Sequence, residues 1–372
     1  MNFETIATHI GGEVDEETGA IAPPIHLATT YELAPDGSQF HGYRYSREGN
    51  PTQSRLEAAL AAIESGARSL AFGSGMAAGA AVIQALPAGS RVVFTDDSYY
   101  AFRLLAGDFM TRWGLEYEIV SMRDLEIVRA ALRKPAALVW GETPSNPLMN
   151  VVDIRELASI ARAAGASLLV DSTFATPALQ RPLELGADIV LQSTTKYLGG
   201  HSDVGGGALV FGSESDLYRQ VLHVRRVIGG VASPFNSWLV LRGVRSLAAR
   251  MRVHCENAMA VATWLEKHPR VRCVHYPGLA SHPGHAIAAS QMSAFGGMLS
   301  FEIAGSREEA IAVVAAVKLF VRATSLGGVE SLIEHRASIE GKGTTVPETL
   351  IRCSIGLEHQ RDLIADLEQA LG

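Results

Sequence analysis

The chain has 372 residues, 47% of them hydrophobic and 19% charged, enough to bury a large core and to divide into two domains. Its net charge of −7 excludes nucleic acid as the main partner, because a phosphate backbone needs a basic face. Three cysteines (Cys255, Cys273, Cys353) make no disulfide framework, and MNFETIATHIGGEVDEETG carries no secretion signal, so a reducing, cytoplasmic setting is expected.

Residues 1–50 are loop-rich, with Pro23-Pro24 and scattered aromatics, and read as an extended N-terminal arm. Regular alternation begins at Asn50-Pro51-Thr52, where Thr52 is placed to cap a helix over 53–64. Strands are expected at 69–72, 91–95, 137–140, 167–170, 188–191 and 208–211, with helices at 76–86, 100–113, 125–132 and 154–164. This order predicts an α/β fold with right-handed crossovers and a mostly parallel sheet covered on both faces. Near Ser233-Pro234-Phe235 the pattern changes. A long connecting helix over 236–268 then opens a smaller C-terminal α+β domain with strands at 271–275 and 297–303, so the domains are 1–50, 51–235 and 236–372. The most apolar window, 311–321, is interrupted by Lys318 and too short for a membrane span, and after Ser306-Arg307-Glu308-Glu309 it reads as a core helix.

Open parallel sheets bind ligands at the carboxyl ends of their strands. Those ends carry Gly73-Ser74-Gly75-Met76, Glu142-Thr143-Pro144-Ser145-Asn146, Asp171-Ser172-Thr173 and Ser193-Thr194-Thr195-Lys196. Lys196 matters most, because an ammonium at the end of a buried strand is costly unless the amine is neutral or bound as an imine. With Asp171 for a ring nitrogen, Asn146 for a phenolic oxygen and a helix start for phosphate, the inventory suits pyridoxal phosphate.

One rival stays open on residues alone. Gly73-Ser74-Gly75-Met76-Ala77-Ala78 matches G-x-G-x-x-A after a strand, and Asp96 and Asp97 end the next strand, as in an NAD(P)-dependent oxidoreductase. That reading gives Asp171 and Lys196 no role. Cys273, His275, His282 and His285 fit no zinc spacing and read as a solvated loop, so no metal site is expected.

The segment STTKYLGGHSDVGGG resembles the lysine segment of the Cys/Met-metabolism (trans-sulfuration) family of pyridoxal-phosphate enzymes, which includes cystathionine γ-synthases, γ-lyases and β-lyases and methionine γ-lyases. The resemblance continues in TGAIAPPIHLATTY, YSREGNPT, FGSGMAA, ETPSNPL, VDSTFATPALQRPLELGAD, SLGGVESLIEH and IRCSIGLEHQRDLIADLEQAL, in order along almost the whole chain. It implies fold type I, and a homotetramer whose active sites are shared across a dimer. By that resemblance Lys196 would hold the cofactor as an imine and move substrate protons, and Asp171 would pair with the ring nitrogen. Gly75, Met76, Ser193 and Thr195 would hold the phosphate, joined by Tyr45 and Arg47 of a neighbouring subunit. Tyr99 would stack on the ring and act as acid or base on the leaving group. Arg352, with Asn146 and Ser325, would clamp the substrate carboxylate.

The implied reaction is γ-elimination or γ-replacement on cystathionine or an O-acylhomoserine, the alternatives being methionine γ-lysis and cystathionine β-elimination. The chain departs from the family pattern at Thr324 and Arg44, both often acidic in members that handle cystathionine, and Arg44 would favour an acidic ester. It departs again at Tyr99-Tyr100-Ala101-Phe102-Arg103, and at His335-Arg336-Ala337-Ser338-Ile339-Glu340, where HPASMTH is usual.

Overall fold

In the computed structural model, which describes residues 1–341 and 344–372, the apolar runs pair into a seven-stranded sheet. Its strands are β1 (Arg68–Phe72), β2 (Arg91–Thr95), β3 (Glu116–Val120), β4 (Leu138–Glu142), β5 (Ser167–Asp171), β6 (Ile189–Gln192) and β7 (Gly207–Phe211), in the order β1-β7-β6-β5-β4-β2-β3. Strands β2 to β6 pair in parallel, and β7 runs antiparallel to both β6 and β1. Every residue of β2, β4, β6 and β7 is buried, so these strands read as unbroken apolar runs. The sequence reading missed β3, an edge strand whose first four residues are exposed.

Alternate residues of the central strands feed two cores. Val92, Phe94, Leu138 and Trp140 pack with Val82 and Ile83 of the helix Gly75–Ala85, whereas Val93 and Val139 pack with Leu157 and Ile160 of the helix Ile154–Ala163. Gly79 lets the first helix close on its neighbours: an added Cβ would lie 2.3 Å from the Phe102 ring and 2.8 Å from Trp140.

The topology removes the dinucleotide alternative. That motif needs the strands on either side of its glycine loop to lie side by side. Here β1 and β2 are separated by β7, β6, β5 and β4.

A second, five-stranded sheet follows, built from β8 (Val271–His275), β9 (Met298–Ile303), β10 (Val321–Arg322), β11 (Leu332–His335) and β12 (Leu350–Ser354) in the order β10-β11-β12-β9-β8. Its core joins Leu299, Phe301, Ile333 and Ile351 to Leu363 and Leu367 of the final helix Gln360–Leu371.

Several expected elements differ. The arm contains a short helix, Phe3–His9. Asn50, not Thr52, caps the first long helix, Pro51–Ile63: its side chain accepts from the N–H of Thr52 and of Gln53, and Pro51 supplies the preset first turn. The hydroxyl of Thr52 instead accepts from His26 N–H at 2.9 Å. The expected 236–268 helix is two helices, Pro234–Val244 and Leu247–Leu265. The break lies where Gly243 meets the backbone after Lys196: a Cβ there would be 2.3 Å from Leu198 O. Arg250 braces the break, donating to Gly243 O at 2.7 Å and Tyr197 O at 2.8 Å.

The 311–321 window is not one core helix. The helix Arg307–Ala316 buries only Ala310 and Val313, and the chain then turns into β10. Among the described residues no helix is long and apolar enough to cross a membrane.

Candidate active site

The carboxyl ends of β4, β5 and β6, the start of the helix Gly75–Ala85 and the loop before β11 enclose a cavity of about 350 Å³. Gly75, Met76, Tyr99, Asn146, Asp171, Ser193, Thr195, Lys196, Ser325 and Arg352 all line it. Residues up to 277 positions apart in the chain thus meet in one site.

Lys196 stands four residues beyond β6. Its loop is closed by Thr195, whose hydroxyl donates to Gly206 O at 3.1 Å and accepts from Gly206 N–H at 3.0 Å. Lys196 Nζ donates to Ser325 Oγ at 2.7 Å. Burial, helped by the Arg352 cation, lowers the amine pKa to about 8. Ser325 sits at φ +79°, a conformation costly for a residue with a Cβ, so its position is held by its surroundings.

Asp171 ends β5 opposite Glu142 of β4 in the parallel register. Both hydrogen bonds that Asp171 accepts, from Thr173 N–H at 3.0 Å and Thr173 Oγ at 2.6 Å, fall on Oδ1. Burial lifts its pKa to about 6 against those bonds. Glu142, which the sequence reading left without a role, accepts from Tyr99 N–H at 2.7 Å and Asn146 N–H at 3.1 Å. Burial and then the neighbouring Asp171 charge push its pKa well up. Glu142 is therefore the anchor of two site residues, and its place at the end of a buried strand was the available signal.

Ser74 caps its helix by accepting from Ala77 N–H at 3.0 Å, and the first N–H groups beyond it have no partner within the helix. Gly207 permits the close packing of this turn: a Cβ there would lie 2.3 Å from Ser74 O. Ser193 faces Gly75, where an added Cβ would meet Ser193 Cβ at 3.2 Å.

Arg352 of β12 is buried and lies opposite Glu334 of β11. Its guanidinium donates to Asn146 Oδ1 at 2.8 Å and Ser325 O at 3.0 Å, and pairs with Glu334 at 2.8 Å. Burial brings its pKa down to about 10, so it stays a cation at neutral pH. Tyr99, half-buried, packs edge-on against Tyr100 at 5.1 Å, and burial raises its phenol pKa. Glu334, Arg336 and Tyr100 had no place in the site inferred from sequence.

Two expected residues lie elsewhere in this chain. Tyr45 is exposed, with the Arg47 guanidinium 5.2 Å from its ring centre, and Arg47 Nε donates to Arg226 O at 2.9 Å. Arg44 is tied to Glu48 at 2.7 Å and does not line the cavity. Arg103 donates to Asp96 O at 3.1 Å, and Thr324 does line the cavity. In the turn after Lys196, His201 Nδ1 lies 2.9 Å from Gly199 O.

The histidines of 275–285 are not a solvated loop. His282 is buried and accepts from Gly284 N–H at 3.0 Å, His285 bonds Pro277 O at 2.8 Å, and His275 pairs with Glu302 at 3.0 Å. Among the described residues no cluster could hold a metal ion.

The donor set fits pyridoxal phosphate. Asp171 has Oδ2 uncommitted for a protonated ring nitrogen, the helix start offers N–H groups to a phosphate, and Lys196 offers an amine of lowered pKa.

A family model described as "Cys/Met metabolism PLP-dependent enzyme" matches residues 4–372. The chain is 48% identical to the cystathionine gamma-synthase of Mycobacterium tuberculosis over 99% of its length and 96% of that protein. It is 45% identical to the cystathionine beta-lyase of Coxiella burnetii over 100% of its length and 98% of that protein. The structure of cystathionine gamma synthase from Xanthomonas oryzae pv. oryzae in complex with cystathionine superposes with a TM-score of 0.96 and 40% identity, covering 100% of this chain and 98% of that one. Fold, cavity chemistry and kinship agree, and the chain belongs to the Cys/Met-metabolism family of pyridoxal-phosphate-dependent enzymes.

Proposed function

We propose that the protein catalyses γ-elimination or γ-replacement on cystathionine or an O-acylhomoserine. The observation that carries this reading is the junction at Ser325. Its hydroxyl holds Lys196 Nζ at 2.7 Å while its carbonyl holds Arg352 at 3.0 Å, so an amine and a carboxylate receptor are fixed against each other. The M. tuberculosis relative's name and the cystathionine complex of the X. oryzae enzyme support the substrate class.

When bound, pyridoxal phosphate supplies an electron sink for charge that develops beside the amino group. Arg352, oriented by Asn146, binds the substrate α-carboxylate through its fork. Lys196, which would carry the cofactor at rest, takes the Cα proton, passes it on to C4′, and, neutral again, takes a Cβ proton, a task suited to an amine with pKa about 8. Loss of the Cβ proton lets the γ-substituent depart. Tyr99 would stack on the ring and, with its phenol pKa raised by burial, would hand a proton to the leaving group. Asp171 would hold the ring nitrogen protonated, with Thr173 bonding only its other oxygen. Gly75, Met76, Ser193 and Thr195 would hold the phosphate.

Tyr45 and Arg47, exposed on this chain, complete the phosphate site of a second copy, within a homotetramer. Its three cysteines are free, in keeping with the cytoplasm.

The test is a product assay on cystathionine, methionine, O-acetyl- and O-succinylhomoserine, each with and without a thiol. Keto acid and ammonia, or a new thioether, are expected from cystathionine or an ester. Absence of all of them sinks the reading. Lys196→Ala should abolish both turnover and the cofactor's imine absorbance, and an unchanged spectrum would remove this lysine from the site.

A further inference from the structure

We propose that Arg336 is the receptor for an anionic γ-substituent, so that the site selects amino acids carrying a second negative charge beyond Cγ. The inference rests on the γ-chemistry above and narrows its substrate class.

Arg336 begins the short helix Arg336–Glu340 and lines the cavity together with Tyr100, Thr324 and Ile339. Its side chain is 3% exposed, and its Nη2 is buried without a hydrogen-bond partner. A buried N–H group left unpaired in a cavity wall is costly, and a ligand oxygen repays that cost. The guanidinium is held ready for one: Nη1 donates to Glu334 at 2.9 Å, Nε to Glu340 at 3.1 Å, and the plane lies 5.7 Å from the Tyr100 ring centre. Tyr100 and Ile339 give the methylene chain of an acyl group an apolar wall.

The carboxylates around it are already engaged by guanidinium groups. Glu334 Oε1 receives both Arg336 and Arg352, and its other oxygen, Oε2, is buried without a partner. Glu340 accepts from Arg336, Arg103 and Thr344. Of the described residues that line the cavity only Glu142 and Asp171 are acidic, and both sit at the strand ends, with Glu142 bonded to Tyr99 and Asn146 N–H. Thr324, which also lines the cavity, carries no charge. Among the described residues the cations that line the cavity are Lys196, Arg336 and Arg352. Once Arg352 has taken the α-carboxylate, Arg336 remains for a second anion, a carboxylate or a phosphate.

The test compares wild type, Arg336→Gln and Arg336→Lys as cofactor-loaded enzymes. Binding is read first with two probes that have no leaving group, 2-aminoadipate and norleucine, through the change each makes in the cofactor's absorbance. Wild type should bind the dianionic probe at least about 10-fold more tightly, Arg336→Gln should bind both about equally, and Arg336→Lys should keep part of the preference. Turnover is then compared on O-succinyl-, O-phospho- and O-acetylhomoserine, the first two arms separating carboxylate from phosphate. In Arg336→Gln, kcat/KM for the preferred anionic ester should fall roughly 30-fold, and that for the acetyl ester less than about 3-fold. Equal losses on all three esters, or no preference in the wild-type binding data, would overturn the receptor assignment. A binding preference without turnover of any ester would uphold the receptor and refute the γ-chemistry.

Discussion

Replacing Glu334 by glutamine removes the charge that two buried guanidinium groups share. Glu334 is 4% exposed, and one of its oxygens receives both Arg336 at 2.9 Å and Arg352 at 2.8 Å. At an effective dielectric of about 20, each such pair is worth roughly 4 kcal/mol before desolvation. Desolvation offsets much of this while the trio is intact, but not once the carboxylate is gone. Two cations then remain buried side by side, Arg336 with Glu340 and Arg352 with neutral acceptors.

We expect Glu334→Gln to cost about 3–5 kcal/mol, the loss typical of breaking a buried pair. In thermal unfolding of the cofactor-loaded protein at fixed concentration, that is a drop of roughly 5–15 °C. Adding Arg336→Gln removes one of the two uncompensated charges. The double variant should therefore be more stable than the sum of the single losses predicts, by about 1–3 kcal/mol. A Glu334→Gln loss under about 1 kcal/mol, or strict additivity in the cycle, would refute the shared-charge reasoning.

Arg352→Lys keeps the charge but loses the planar fork that reaches Asn146 and Ser325 together. KM for every substrate should rise roughly 10- to 100-fold with a smaller change in kcat, and an unchanged KM would take Arg352 out of carboxylate binding. In the cofactor-free protein, burial and then Arg352 hold the Lys196 pKa at about 8, so the amine is protonated below that pH and neutral above it. The rate of cofactor capture should climb about tenfold per pH unit up to pH about 8 and then level off; a climb that continues to pH 10 would contradict the lowered pKa. By linkage, the unfolded lysine stays protonated to about 10.4, so cofactor-free stability should rise with pH between about 8 and about 10.4. Gly79→Ala pushes a methyl group into the Phe102 ring at 2.3 Å and should cost about 1–3 kcal/mol in the same unfolding assay.

The parallel core was legible because burial on both faces leaves no alternation to blur a strand, as in β2 and β4. β3 was not, because an edge strand with sequence EYEIV shows its side chains to solvent and carries no apolar run. The reversed direction of β7 has a physical sign in the sequence. Residues 193–206, between β6 and β7, contain no helix, and a parallel neighbour needs a crossover. The broken helix had a weaker sign, Gly243 followed by Ser246, whose meaning appears only when the Lys196 loop is seen pressing on it.

The same distinction runs through the site. Lys196, Asp171, Asn146 and the helix start were legible because each ends a strand, follows a strand's carboxyl end within four residues, or opens a helix, positions where the fold itself exposes a side chain to ligand. Glu142 occupies such a position too, but it acts through its neighbours' backbone, and a backbone partner has no residue type to read. Arg336 was visible only as a departure from HPASMTH. Its meaning depends on Glu334 two residues earlier on β11 and Glu340 four residues later, which together fix the guanidinium without occupying all of it. Arg336 lines this chain's cavity and Arg44 does not, so the proposed receptor is tested at Arg336 rather than at Arg44.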